Sequence, residues 1–115
     1  MKTAASRLMG GAALLLGVGA IGVSAVWAAD TVIHQQNLHF SQAQIAVRVG
    51  DTLTFTNEDT VIHNIGVRGG PEDETQDLGL QKPRVSVSHR FTQPGDFVVV
   101  CSIHPRMRLK VSVAK

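Results

Sequence analysis

Scarcity is the first guide to this sequence: 115 residues contain one cysteine. Cys101 has no second thiol to pair with, so an internal disulfide is excluded, and so is any centre that needs two thiolates. A surplus of basic charge is lacking as well. Of the 11 Lys and Arg residues, Lys2 and Arg7 lie at the extreme N-terminus, and the nine that remain face nine acidic residues, all from Asp30 onward. A neutral body argues against a general nucleic-acid binder. Beyond the N-terminal stretch there is no helical period, no internal repeat and no low-complexity tract. No Ser/His/Asp arrangement or pair of carboxylates stands out, so the chain is not expected to be an enzyme.

What is present begins with a leader. Lys2 and Arg7 precede an apolar Gly/Ala/Leu-rich run from about Leu8 to Val26, followed by small residues at Ala28 and Ala29, the layout of a secretory signal peptide cut after Ala28. An uncleaved membrane anchor is the competing reading, because the run approaches the roughly 17 residues that span a bilayer. Cleavage divides the chain into a signal peptide, 1–28, and one domain, 29–115, exported to the periplasm or the medium. A domain this small buries only about 60 to 65% of its unfolded surface, and with no disulfide available a bound metal is the next source of support.

The domain reads as short strands between turns. Thr31 to Ile33, Ile45 to Val49, Thr52 to Thr56, Ile62 to Val67, Val85 to Phe91, Phe97 to Cys101 and Leu109 to Val113 are rich in Val, Ile, Thr and Phe with partial alternation. Gly50-Asp51 and Gln93-Pro94-Gly95-Asp96 supply turn chemistry. Between Gly69 and Pro83 the sequence is polar and without strand character. Seven short strands predict an all-β fold, an antiparallel sandwich of two sheets.

The informative segment is Cys101-Ser102-Ile103-His104-Pro105-Arg106-Met107. It offers a thiolate, an imidazole and a thioether within one short loop. His and Met are scarce, five and three residues in the whole chain, so one of each at this spacing from the only cysteine is an improbable coincidence. Read singly, Cys101 is a small buried hydrophobe, Met107 a core filler and His104 a surface loop residue. A fourth ligand must come from elsewhere, and His63, where a loop passes into a strand, is the best candidate. Two imidazoles and a thiolate in trigonal array with a weak axial thioether suit copper, whereas structural zinc prefers four strong ligands.

From about Asp30 to Lys115 the chain resembles the cupredoxins, the type 1 or blue copper proteins, and its ligand loop resembles that of the amicyanin and plastocyanin-like branch. The resemblance rests on Asn57, on His63-Asn64, on Phe91-Thr92-Gln93-Pro94-Gly95-Asp96-Phe97 leading into Cys101, and on the Cys-x-x-His-x-x-Met spacing. It implies a Greek-key β-sandwich of eight strands, one more than the pattern yields. It also implies one type 1 copper cycling between Cu(I) and Cu(II), held by His63, Cys101, His104 and Met107 at one end of the fold, with His104 near the surface as the electron's exit. Two positions depart from the family: Val99 where relatives carry a larger aromatic, and Leu109 where many carry Gly. The second leaves the backbone path out of the loop open.

The expected function is single-electron transfer outside the cytoplasm, the alternative being a copper-binding and delivery protein of the same fold. A non-metal interaction sandwich is a third reading. Multicopper oxidases need further His-rich sites and several domains. Asn64 is expected to bridge the two ligand-bearing segments, a role the resemblance supports, and Ile103 keeps an N–H that could point at the Cys101 sulfur and raise the potential. The basic residues Arg106, Arg108 and Lys110 flank His104 and suit docking of an acidic redox partner, such as a c-type cytochrome or a dehydrogenase, with solubility alone as the rival. The acidic run Glu72, Asp73, Glu74 and Asp77 reads as solvated surface. His34, His39 and His89 read as surface or strand-edge residues, with a second metal site at His34 and His39 the less favoured reading. A monomer is expected, with no nucleic-acid partner and no membrane contact after cleavage.

Overall fold

A computed structural model describes residues 28–115. The expected leader, 1–28, lies outside them save for its last residue. The described residues form nine strands: β1 (Asp30–Gln36), β2 (His39–Phe40), β3 (Gln44–Arg48), β4 (Thr52–Asn57), β5 (His63–Gly69), β6 (Glu74–Gln81), β7 (Val87–Arg90), β8 (Gly95–Val100) and β9 (Arg108–Ala114). They build two sheets, ordered β2-β1-β4-β7 and β3-β9-β8-β5-β6. The expected β-sandwich is therefore present.

Alternation drives the assembly. β4 and β9 bury every second residue, so Leu53 and Phe55 of one sheet face Leu109, Val111 and Val113 of the other. Ile33 of β1, Ile65 and Val67 of β5 and Val99 of β8 complete the apolar interior, with Phe91 closing it beyond β7. Val99 is fully buried in this core.

Two features differ from the sequence expectation. The strand count is nine instead of seven or eight. One addition is the two-residue β2, and the other is β6, which occupies the polar stretch expected to lack strand character. β6 is an edge strand paired only with β5, and most of its side chains meet water, so it carries no apolar period. The sandwich is also not wholly antiparallel: β1 pairs with β4 and β3 pairs with β9 in parallel, because the Greek-key path brings sequence-distant strands side by side. The fold depends on these non-local contacts.

Turns position the ends. Arg48 to Asp51 makes a tight turn closed by the Asp51 N–H to Arg48 O bond of 3.0 Å, with Gly50 at φ 101° in the position where only Gly is at ease. The Asp51 carboxylate then accepts the Ala29 N–H at 2.9 Å and the Arg48 N–H at 2.8 Å, pinning the start of β1 to the β3–β4 turn. At the opposite pole, β1 reverses into β2 through Asn37 and Leu38, both at positive φ (56° and 61°), as a two-residue hairpin loop of this twist requires.

Two stability predictions follow from this interior and this pin. Phe55→Ala empties a fully buried site of β4, and urea melts of the metal-free protein are expected to show a loss of about 3 to 5 kcal/mol. The N–H bonds from Ala29, then Arg48, hold the Asp51 carboxyl below its ordinary 3.8. Its contribution is thus present in full above that value and lost as pH falls through the lowered one. Asp51→Asn is expected to lower the urea midpoint at neutral pH, with the gap from the parent narrowing as pH falls below the ordinary 3.8. A gap of constant size would show that the carboxylate's charge is not the source.

Candidate metal centre

Three of the four candidate ligands meet. β5 delivers His63 at its first residue, and the loop between β8 and β9 delivers Cys101 and His104. His63 Nδ1 lies 3.2 Å from His104 Nδ1, Cys101 Sγ lies 3.6 Å from His104 Nδ1, and Sγ lies 4.0 Å from His63 Nδ1. The circumcentre of that triangle is about 2.1 Å from each donor atom, close to the usual 2.0 to 2.3 Å of metal bonds to imidazole nitrogen and thiolate. Among the described residues this is the one cluster of three or more His, Cys and acidic side chains placed to hold an ion.

The protonation pattern favours a cation at that point. His63 Nε2 is 2.8 Å from Asp59 Oδ2, an acceptor, so Nε2 carries a proton, and in the neutral ring Nδ1 is the nitrogen that turns a lone pair inward. Burial opposes the charge on Asp59 and is the largest single influence on it. Hydrogen bonds from His63, Leu38 and Asn37 together outweigh burial, leaving the carboxyl below the usual range. Asp59 Oδ1 takes the Asn37 N–H at 2.6 Å and Oδ2 takes the Leu38 N–H at 3.0 Å, so the β1–β2 hairpin loop supports the ring from behind. The sequence reading gave Asp59 no role. Its position four residues before His63, in a loop, is the only sequence signal that it can reach the far ring nitrogen.

Local hydrogen bonds shape both ligand segments. Asn57 is 1% exposed; its Nδ2 donates to Val61 O at 2.9 Å and Gln81 O at 3.1 Å, and its Oδ1 accepts the Asp59 N–H at 2.9 Å, which sets the path of the loop into His63. In the other segment the Met107 N–H donates to His104 O at 2.9 Å, closing a tight turn over Pro105 and Arg106. The expected bridge by Asn64 is present: its Oδ1 accepts the Ser102 N–H at 3.2 Å. The N–H that donates to Sγ is also that of Asn64, at 3.3 Å, and not that of Ile103, so the donor comes from β5 instead of from within the loop. Ile103 instead turns a half-exposed side chain to solvent.

Cys101 and Met107 are each 1% exposed and belong to one buried cluster, whereas His104 is only partly buried. Leu109 is fully buried, and its φ is not positive. The chain therefore leaves the loop as ordinary strand, and no Gly is needed there. The remaining histidines stand apart. His34 pairs with Glu58 at the surface, and His39 is exposed. His89 is set edge-on against Phe91, where burial lowers its pKa.

Comparison with known proteins agrees with this geometry. The profile of the copper binding proteins of the plastocyanin/azurin family matches residues 27–114. Amicyanin-alpha of Methylorubrum extorquens is 28% identical over 87 residues, 75% of this chain and 73% of that protein. Amicyanin of Paracoccus denitrificans is 31% identical over 83 residues, 71% of this chain and 63% of that protein. The Cu(I) structure of an amicyanin variant superposes with a TM-score of 0.66 at 27% identity, covering 78% of this chain and 85% of that one. With a cupredoxin sandwich, a His-Cys-His triangle of the right dimensions for copper and a profile that spans the described domain, the chain belongs to the copper-binding plastocyanin/azurin family and is amicyanin-like within it.

Proposed function

We propose that the protein is an exported carrier of single electrons, with His63 Nδ1, Cys101 Sγ and His104 Nδ1 as strong ligands of one copper and Met107 as the weak fourth. The observation that carries this reading is the donor triangle: three lone-pair atoms from two segments 38 residues apart, tied behind by Asp59 and between by Asn64. Bound there, copper would supply a Cu(I)/Cu(II) couple, held by His63, Cys101 and His104 and tuned by the sulfurs of Cys101 and Met107.

The residues then divide the remaining work. Asp59 holds the His63 ring in one tautomer and orientation. Asn64 gives Sγ an N–H that stabilises negative charge on sulfur, and its side chain prevents the two segments from separating. Burial of Cys101 and Met107 keeps water from the sulfurs, while His104 alone reaches towards the surface. Ile103 precedes His104, Val61 and Ile62 lead into His63, and Leu38 lies in the hairpin loop that braces Asp59; each is between 41% and 46% exposed, and together they form an apolar rim at the pole built by these loops. Arg106 is exposed in the loop that carries His104, Arg108 and Lys110 are exposed along β9 as it leaves that loop, and Glu72 to Glu74 lie at the other end of β5, across the β5–β6 turn. Charge divided in this way orients the metal pole towards an acidic redox protein, a cytochrome or a dehydrogenase, during encounter. The leader-like N-terminus supports export.

Reconstituting residues 29–115 with Cu(II) is expected to give intense absorption at about 600 nm, a narrow copper hyperfine pattern in electron paramagnetic resonance and a reversible voltammetric couple. Cys101→Ser abolishes the band. Copper taken up without the band, or lost readily on reduction, points to delivery of the ion instead. For the partner, electron-transfer rates are expected to fall as ionic strength rises, and Arg106→Glu to slow transfer and flatten that dependence. A rate indifferent to salt in the parent protein removes the docking role.

A further inference from the structure

One carboxylate of the acidic run does not behave as solvated surface. Glu72, Asp73 and Glu74 stay at the β5–β6 turn, but Asp77 sits within β6, opposite Gly66, close to the ligand-bearing end of β5. Its Oδ1 accepts two hydrogen bonds of 2.8 Å, one from the Gly79 N–H and one from Asn64 Nδ2. The β5–β6 ladder is irregular here: Asn64 pairs with Leu80 and Gly66 with Asp77, so Leu78 and Gly79 together face Ile65. Gly79, at φ 95°, supplies the extra residue of this bulge. With regular pairing interrupted beside Asn64, that side chain needs another restraint.

Asp77 provides it. Asn64 Nδ2 spends its two protons on Asp77 Oδ1 and on Gly79 O, the latter at 3.1 Å. An ionised carboxylate only accepts, so the amide cannot turn over, and Asn64 Oδ1 must face the Ser102 N–H. The Asn64 backbone N–H meanwhile points at Cys101 Sγ. The Gly79 N–H first, and then Asn64, hold the Asp77 carboxyl below its ordinary range, which keeps it an acceptor at neutral pH.

We propose that Asp77 is a positioning residue for the metal centre: by fixing the Asn64 amide it locks β5 to the ligand loop at Ser102 and Cys101, and so limits relaxation around the thiolate. The proposal rests on the copper reading above for its consequence at the metal, but the lock itself is a property of the polypeptide. Asp77 is exposed and contributes nothing to the apolar core, so its removal is local.

The test compares Asp77→Leu, which removes the acceptor, with Asp77→Asn, which removes the charge and keeps an acceptor oxygen. In the metal-free full chain, amide hydrogen exchange at Asn64 and Ser102 is expected to quicken several-fold in the Leu variant, to stay near the parent rate in the Asn variant, and to be unchanged on β4 and β9 in both. In the copper-loaded protein, loss of metal to a chelator is expected to quicken roughly tenfold or more in the Leu variant, with a broadened copper resonance, and to be restored by Asn. Parent-like behaviour of the Leu variant overturns the proposal. So does equal perturbation by both variants, which would make charge the cause, and so does uniform acceleration of exchange across β4 and β9, which would make Asp77 a general stabiliser. Exchange is read without metal, so failure of the parent chain to bind copper would sink the functional reading alone.

Discussion

Everything distinctive about this fold follows from holding three electron-pair donors within 3.2 to 4.0 Å of one another at a mostly buried point. Two imidazole nitrogens and a sulfur so placed repel one another unless a proton or a cation lies between them. The scaffold must supply the restraint before the ion supplies attraction. It does so with polar bonds instead of apolar packing. Asp59 braces His63 against the β1–β2 hairpin loop, Asn57 shapes the intervening chain, and Asn64 crosses to Ser102 and Cys101.

That polar character extends inward from the metal pole. Gln35 and Gln81 are fully buried and bonded to each other at 2.6 Å across the two sheets, and Gln81 also donates to Phe55 O at 2.8 Å. Buried amides of this kind cost free energy where unpaired, as Gln35 Oε1 is here, while the directional bonds made by Gln35 Nε2 and by Gln81 favour one relative placement of the sheets. Apolar side chains from β4 and β9 resist unfolding in the middle of the sandwich, while directional bonds set geometry at its metal end. A small neutral domain without disulfides thereby separates the task of staying folded from the task of holding ligands in place.

The sequence exposed these two tasks unequally. The alternation of Leu53, Phe55, Leu109, Val111 and Val113 is a local property, and it placed β4 and β9 to within a residue at most ends. The proximity of Cys101 and His104 was legible for the same reason, since one short loop carries both. His63 was legible only by residue type and family likeness, because nothing in sequence spacing says that β5 lies beside β8. β6 escaped notice because an exposed edge strand needs no apolar period. The parallel pairings of β1 with β4 and of β3 with β9 escaped because they are set by the path of the chain. Asp59 and Asp77 were hidden most deeply. A carboxylate that accepts backbone N–H groups looks, in sequence, like any solvated acid.

These hidden acids bear on how the centre can work as a carrier. A ligand set that relaxes between oxidation states slows exchange of the electron, so each donor needs a partner that does not move with the charge. His63 has one in Asp59, itself tethered to two N–H groups of the hairpin loop, and the Cys101 thiolate has one in the backbone of Asn64. His104 stands apart: it is only partly buried, and its loop is restrained by the Met107 N–H to His104 O turn and by the bias that Pro105 places on the preceding residue. The site is thus stiffest on the β5 side and least enclosed at His104. On the proposed reading, one accessible ligand, an apolar rim and firm support behind it would let a partner approach the metal from a single direction without disturbing the ligands that set its chemistry.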